Sequence, residues 1–404
     1  MCGTQAGGGM VVRAALNRYG ILCWSNESCR IDAAGVPVGS LAHRPGKFDE
    51  EKKMKAWFPM VALCGCGAVA PTFAQSSVTL YGSLDTGVTY TSDVASALRG
   101  GRQVALQAGV SRNDVWGLTG REDLGGANFA VFRLESQFQT SDGALTVPGS
   151  AFSSQAYVGL GGDWGTVTLG RQFDFVGDLM PSFAVGANTP AGLLAWGLPA
   201  NASAGGALDN RVWGVQVNNA VKYVSPTFGG LAFGGMWGFG NVPGTVARSS
   251  VQSAMLSYTQ GAFSTALAYF GQHDVTAGGN LRNFSGGAGY NFGQFRVFGM
   301  VSDVRISAAA PLRATTYDGG LTYALTPSLQ LGGGFQFQQR GGDVGSANQV
   351  TLSADYSLSK RTGLYAVFAR GHDSAYGAQV EAALGGAAAG STQTAVRVGV
   401  RHQF

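Results

Sequence analysis

The chain has 404 residues, five cysteines and a formal net charge of +4, and neither the cysteines nor the charge is evenly spread. All five cysteines precede residue 67, which excludes a disulfide framework or a Cys-ligated metal from the body that follows. From Gln75 onward there are 19 Lys+Arg against 18 Asp+Glu, a net of +1, which excludes the basic footprint of a nucleic-acid-binding surface.

Residues 1–53 read as neither targeting signal nor domain, and an upstream extension or a mis-assigned start is the expectation. Residues 54–74 have the layout of a secretory signal. Lys52, Lys53 and Lys55 precede an apolar run from Ala56 to Val69, and Thr72-Phe73-Ala74 offers small residues for cleavage near Ala74. Leu63-Cys64-Gly65-Cys66 is a loose lipobox with the wrong middle residue, so lipidation is the weaker alternative. This apolar run is short and wrongly flanked for a membrane helix, so a body that crosses a membrane must do so as a closed barrel.

The body, residues 75–404, is rich in Gly (64 in the whole chain) and aromatics, without a collagen period. From Ser77 it shows sixteen segments that alternate apolar and polar. Leu329, Leu331, Gly333, Phe335 and Phe337 oppose Gln330, Gln336, Gln338 and Arg340. Val396, Val398, Val400, His402 and Phe404 oppose Arg397, Arg401 and Gln403. Period two with one apolar face marks a half-buried strand. Short turns near 123–128, 162–165, 225–229, 261, 293, 326–327 and 359–361 alternate with longer loops near 92–108, 141–150, 174–210, 242–249, 274–280, 306–313, 341–347 and 374–391. Seven short turns and eight longer loops predict a sixteen-stranded antiparallel transmembrane β-barrel, an all-β fold, with the short turns on the periplasmic side. Tyr81, Trp116, Trp164, Tyr223, Phe228, Phe292, Phe295 and Tyr323 are candidates for the interfacial girdles.

The stretch 174–210 breaks the pattern with three prolines and repeated Gly and Ala, and is expected to fold inward as the third loop and narrow the lumen. Candidate constriction residues follow from that reading. Arg171 falls on the outward parity of Val167 and Leu169. An arginine at the lipid midplane costs about 2–4 kcal/mol, so a bulge at Gly170 is expected to turn it inward, the alternative being a headgroup-level arginine. Arg112 belongs either to the pore or to a loop edge. Arg133 and Glu135 share the inner face. Asp174 and Asp178 open the long loop, and Asp209 and Arg211 end it. His273-Asp274 and His372-Asp373 sit at the predicted outer rim, and no nucleophile elbow, phosphate loop or metal-ligand cluster accompanies them, so neither catalysis nor a cofactor nor a metal is expected.

Several short motifs recur together. Ser76-Ser77-Val78-Thr79-Leu80-Tyr81-Gly82 opens the body; Trp116-Gly117-Leu118 leads to Glu122-Asp123-Leu124-Gly125-Gly126; Gly165-Thr166-Val167-Thr168-Leu169-Gly170-Arg171-Gln172 precedes the long loop. Asn218-Asn219-Ala220-Val221-Lys222-Tyr223 follows it, and Arg401-His402-Gln403-Phe404 closes the chain. Together these resemble the general porins of beta-proteobacteria, of the Burkholderia and Bordetella kind. The resemblance implies a homotrimer in the outer membrane, among its lipid and lipopolysaccharide, that passes small hydrophilic solutes and ions. It also implies that Phe404 belongs to a signal read by the barrel-assembly machinery. A substrate-specific channel or a non-conducting structural or adhesin barrel of the same fold is the alternative. The chain departs from the family's arginine wall at three places, with Val115, Ser153-Ser154 and Gln216 standing where arginine is common.

Overall fold

The alternating segments become strands because each can pair its whole backbone with neighbours while its two faces meet different surroundings. The computed structural model describes residues 77–94, 101–196, 211–276, 279–307, 311–341, 345–374, 380 and 392–404. The leader, the cysteines, several loop tips and residues 197–210 with Asp209 lie outside the described residues.

Seventeen strand segments form one sheet. They are β1 (Ser77–Val94), β2 (Gly101–Ala108), β3 (Val115–Gly125), β4 (Asn128–Gln137), β5 (Gln155–Gly162), β6 (Gly165–Phe173), β7 (Gln216–Val224), β8 (Leu231–Gly238) and β9 (Val251–Gln260). The sheet continues with β10 (Phe263–Thr276), β11 (Gly279–Phe292), β12 (Phe295–Ser307), β13 (Leu312–Thr326), β14 (Leu329–Arg340), β15 (Gly345–Ser357), β16 (Thr362–Asp373) and β17 (Thr392–Gln403). The sheet closes because β1 pairs antiparallel with β17, from Ser83 opposite Gln403 to Thr91 opposite Ala395. Gly82 and Phe404 add a reciprocal pair of backbone hydrogen bonds at 3.2 Å.

The other edge of β1 is shared. Ser77–Ser83 pair with Arg121–Val115, and Thr86–Thr91 pair with Ala108–Gln103. β2 and β3 are therefore two halves of one strand, and the barrel has sixteen. The loop expected near 92–108 is corrected here: 101–108 is strand, and the interruption falls at 109–114. Between Ala108 and Val115 the chain advances seven positions while β1 advances three, from Thr86 to Ser83. Four extra residues thus bulge, an even number, so Val104, Leu106 and Trp116 keep one outward face.

The bulge is stitched by two buried carboxylates. Asp85 Oδ2 accepts the Ser111 and Arg112 amides at 2.5 and 3.3 Å, and Asp114 accepts the Asp85 and Thr140 amides at 2.6 and 2.8 Å. Buried backbone donors must find partners, and here side chains replace the missing ladder.

The two faces differ as the alternation predicts. Outward, Val158, Leu160, Leu267, Leu352 and Val398 are more than half exposed; inward, Gln336, Gln349 and Arg397 are buried. A large exposed apolar belt on a closed barrel belongs against hydrocarbon. Phe295 and Tyr323 stack at 4.4 Å between ring centres near the short turns, as a girdle requires. Tyr81 is the correction to the girdle set. It points inward, its hydroxyl donating to Glu135 Oε2 at 2.7 Å, because its ring crosses over Gly117 on the facing strand.

The seam is tight. A Cβ on Gly82 would come 2.4 Å from the Phe404 ring and 2.7 Å from the Val115 carbonyl. Gly82→Val is expected to overpack the seam by about 1–3 kcal/mol. Semi-native electrophoresis across a temperature series would show the folded band converting at a lower temperature. Gly235→Ala, where a Cβ meets open space, should leave it unchanged.

Candidate functional site

β6 ends at Phe173, and Asp174 turns the chain off the wall. Its carboxylate caps helix α1 (Phe175–Leu179), accepting the Gly177 amide at 2.9 Å, and its other oxygen accepts Val215 N–H at 2.8 Å from the returning limb. A 3-10 turn at Met180–Phe183, helix α2 (Val185–Asn188) and helix α3 (Leu193–Trp196) follow, with Pro181 placed early in the 3-10 turn, where its missing N–H costs nothing. These short pieces pack against the inner face of one strand after another. α1 touches β6, β9 and β10; the 3-10 turn touches β11 and β12; α2 touches β13 and β14; α3 touches β15.

Phe175, Val176, Met180 and Phe183 join an apolar cluster with Val217, Met236, Phe270, Leu281 and Val304 of the wall. Polar wall side chains then hold the segment's backbone. Ser253 Oγ accepts Phe175 N–H at 3.2 Å, and Asp318 Oδ1 accepts Val185 N–H at 3.1 Å. Arg296 donates to Asn188 Oδ1 and the Ser182 carbonyl at 3.0 and 2.8 Å, and Gln349 donates to the Leu194 carbonyl. The Leu193 amide reaches the Val110 carbonyl at 2.9 Å, inside the β2–β3 bulge.

Wall glycines make room beneath the segment. An added Cβ would come 2.6 Å from Phe175 at Gly234, 2.5 Å from Phe183 at Gly287, 2.2 Å from Val185 at Gly334 and 2.6 Å from Thr189 at Gly332.

Between this segment and the wall near β1 and β17 lies a cavity of about 530 Å³, bordered by Arg112, Glu135, Arg401, Ala187, Thr189 and Leu193 among others. Arg401 pairs with Asp355. The Glu135 oxygens accept Tyr81 Oη–H and, at 2.5 Å, Ser154 Oγ–H. Arg112 is exposed, projects from the bulge, and its guanidinium has no carboxylate partner among the described residues. Arg133 lies with its Cζ 5.3 Å from the centre of the Tyr81 ring, on the same inner face as Glu135. Deeper in the wall, Arg397 is fully buried. It donates to Tyr365 Oη, the Gly87 carbonyl, Thr89 Oγ1 and the Gln107 carbonyl, and stands 3.7 Å from Asp85.

The sequence candidates separate into three groups. Arg112 borders the cavity, and Arg133 and Glu135 share the inner face beside it. Asp178 faces the lumen from α1 and pairs with Lys222, whose Nζ also donates to the Phe173 carbonyl at 2.7 Å. Burial inside the barrel pushes the Asp178 carboxyl above the usual carboxylate range, and Lys222 opposes that shift.

Asp174 and Arg211 come together at 3.9 Å but are withdrawn from the lumen, Asp174 completely. Arg211 lies 4.6 Å above the Phe270 ring. They clamp the base of the segment instead of lining a passage. Arg171 is a correction. Gly170 has φ +137°, yet the extra residue sits on the facing strand, where Val217 and Ala220 lie opposite Gln172 and Gly170. Arg171 therefore keeps the outward face of Leu169 and of its pair Ala156, and donates to the Ser153 carbonyl at 2.7 Å and Asn218 Oδ1 at 2.6 Å. The inward turn expected at Gly170 does not occur.

Lys222, Arg397 and Arg401 were not among the constriction candidates. Alternation places Arg397 and Arg401 on the inner face, but nothing in the sequence indicates that Asp85 and Asp355 wait across the seam for them.

The sequence profile of the Gram-negative porins matches residues 60–376. Outer membrane porin protein 32 of Delftia acidovorans is 31% identical over 366 residues, covering 85% of this chain and 99% of that protein. An outer membrane porin protein of Bordetella pertussis is 28% identical, covering 82% and 95%. An anion-selective porin from Comamonas acidovorans superposes with a TM-score of 0.69 at 27% identity, over 82% of this chain and all of that one. With a closed sixteen-stranded barrel, an apolar outer belt and a polar inner wall already in place, the chain belongs to the Gram-negative porin family, the outer-membrane channels of passive diffusion.

Proposed function

We propose that the 174–196 segment sets the width of the channel, that Arg112 supplies its uncompensated positive charge beside the neutral Arg401–Asp355 pair, and that small hydrophilic anions pass more readily than cations. The observation that carries this reading is the free guanidinium of Arg112, which faces the cavity beneath Thr189 and Leu193 while the nearby acids Glu135 and Asp355 are held by other partners. A fixed charge at a narrow neck between low-dielectric walls biases ion passage, because field lines are focused there. Arg133, with Glu135 two residues on, and the Lys222–Asp178 pair complete the polar lining, and a rigid planar guanidinium holds its charge at every working pH.

On this reading the working unit is a homotrimer, as in the trimer form of the OmpT of Vibrio cholerae, which shares the fold at 13% identity and a TM-score of 0.60. Residues 54–74 act as the secretory signal, cleaved near Ala74, and Phe404 with its seam contact is the terminal feature read during assembly.

Arg112→Gln, reconstituted in a planar bilayer under a salt gradient, is expected to shift the reversal potential toward cations. A unit charge about 5 Å from an ion in water contributes about 0.8 kcal/mol, favourable to an anion and unfavourable to a cation, so the anion-to-cation permeability ratio should fall by up to roughly sixteenfold. An unchanged ratio would place the selecting charge elsewhere.

The raised Asp178 carboxyl gives a second expectation. As pH falls, Asp178 takes its proton at a higher pH than an ordinary carboxylate, and Lys222 is left uncompensated. Anion preference should therefore rise as pH is lowered, with the rise beginning above the pH at which an ordinary carboxylate takes its proton. Asp178→Asn should show the higher preference throughout and lose most of the pH dependence. A wild-type preference that does not change as pH falls from neutral into the acid range would remove Asp178 from the conducting path.

A further inference from the structure

Beyond the lumen, the outer face carries a feature that ion passage does not use. Across three neighbouring strands, Arg282 of β11 lies opposite Arg305 of β12, and Arg305 lies opposite Arg313 of β13. Paired residues of antiparallel strands share a face, so the three guanidiniums form one outward row. Arg305 and Arg313 are more than half exposed at their side chains, and Arg282 is exposed.

One acid lies in the next row. Asp303 pairs with Arg305, accepts Arg313 Nε–H at 2.7 Å and accepts Thr315 Oγ1–H at 2.8 Å. Arg282 has no polar partner among the described residues. Three cations over one carboxylate leave two positive charges on a surface that otherwise faces hydrocarbon. Arg102 and Arg370 also stand exposed, each alone.

The height of the row decides what it meets. Along β12, Arg305 is ten residues from Phe295 of the lower girdle. At about 3.4 Å per residue and a tilt of about 40°, the row stands roughly 26 Å above that girdle, about the height of the apolar band of such barrels. Phe295 lies beside a short turn and Arg305 beside a longer loop, so the row lies at the external headgroup level. There an arginine costs about 0–1 kcal/mol, against about 2–4 at the midplane.

Directly below, Tyr269 and Phe284 pack with ring centres 4.8 Å apart, as an upper girdle would. Beneath and beside them is an apolar depression of about 580 Å³, bordered on the outer face by Leu256, Leu267, Gly286 and Val301, with Asp303 at its upper end. Gly286 forms part of its floor. A Cβ there would come 2.9 Å from Leu267.

A row of arginines at headgroup height, continuous with an apolar groove running toward the membrane centre, is complementary in charge and shape to a phosphorylated lipid. We propose that this face binds a phosphorylated lipid of the outer leaflet, with its phosphate on Arg282, Arg305 and Arg313 and one acyl chain in the groove between Leu267 and Val301. Asp303 pre-orients two of the three guanidiniums, and Arg282 supplies the free donors. The planar donor fork suits phosphate oxygens.

The test uses the full chain purified from outer membranes. Lipid A and enzymatically dephosphorylated lipid A are titrated separately into detergent-solubilised wild type, and binding is read by native mass spectrometry and by the shift in unfolding temperature. Lipid A should bind and stabilise, and the dephosphorylated form should do neither. The triple variant Arg282→Gln, Arg305→Gln, Arg313→Gln should weaken binding by about tenfold or more, as loss of charge-assisted hydrogen bonds to phosphate requires. Arg370→Gln should bind as wild type, and single-channel conductance of the triple variant should be unchanged. Excess inorganic phosphate should leave the lipid bound, because it lacks the chain that fills the groove.

Equal binding of the two lipids by wild type would overturn the proposal even if the triple variant failed to fold. Equal binding of lipid A by wild type and triple variant would overturn it too. A triple variant that loses its oligomer while keeping its lipid would assign the face to a contact between copies, and would equally overturn it.

Discussion

Everything in this barrel depends on leaving no backbone donor or acceptor unpaired where water is absent. β1 carries the heaviest share of that requirement. It pairs with β17 along one edge and with β2 and β3 along the other, and the last link is the reciprocal bond between Gly82 and Phe404. A barrel with that seam open would expose two strand edges to lipid. The side chains at the seam follow from the closure. Gly82 has none because the Phe404 ring occupies its place, and the ring completes the outward apolar stripe of Val396, Val398 and Val400. Where the ladder does fail, at 109–114, the carboxylates of Asp85 and Asp114 take over the orphan amides, and the free carbonyl of Val110 takes the Leu193 amide. This break in the wall is thus also a place where the inserted segment is fastened, and where Arg112 leaves the ladder for the cavity.

Closure divides the residues between two solvents, and arginine serves differently in each. Inside, Arg397 is fully buried, which is costly for a lone charge. Four hydrogen bonds and the nearby Asp85 satisfy it, and those partners come from β1, β2 and β16, so the side chain ties the seam together from within. Arg340 beside Asp373 and Arg401 beside Asp355 repeat the pattern along the same part of the wall. Outside, Arg305 and Arg313 stand where headgroups and water can reach them, and their contacts are to residues of their own or neighbouring strands. Composition cannot distinguish these uses. Only the parity of each arginine and its height along the strand can.

Parity is what made the fold legible. The facing sets on β14 and β17 read from alternation are the inward and outward sets of the structure, and the short turns at 162–165, 261 and 293 fall between paired strands. Parity fails where a strand is irregular, because irregularity is decided by the partner. A glycine beside Arg171 suggested a bulge there. The extra residue instead lies across the ladder, where Asn219 adopts φ +51°, a conformation Asn tolerates better than most residues. Likewise the 92–108 stretch looks like loop because Gly100, Gly101 and Gly109 punctuate it, whereas pairing with β1 holds 101–108 extended. Arg133 and Glu135 were legible as inward neighbours. Lys222 was not legible as a partner of Asp178, since 44 residues separate them and only the descent of α1 brings them together.

The inserted segment shows why its own sequence is so uninformative. Its fastenings to the wall are made largely by backbone atoms, the Phe175, Val185 and Leu193 amides and the Ser182 and Leu194 carbonyls. The specific side chains in those bonds belong to the wall: Ser253, Asp318, Arg296 and Gln349. The same asymmetry holds for shape. Room for Phe175, Phe183, Val185 and Thr189 comes from Gly234, Gly287, Gly334 and Gly332, all in strands. A stretch held by its backbone and seated over glycines can be built from Ala, Gly and Pro, with only a few apolar anchors of its own. The information that positions it is written at every second residue of β8 to β15, where it is read as strand alternation and conceals a second role. The width of the passage is therefore set by the barrel wall as much as by the segment that narrows it, and the wall cannot be repacked for stability at those glycines without moving the segment.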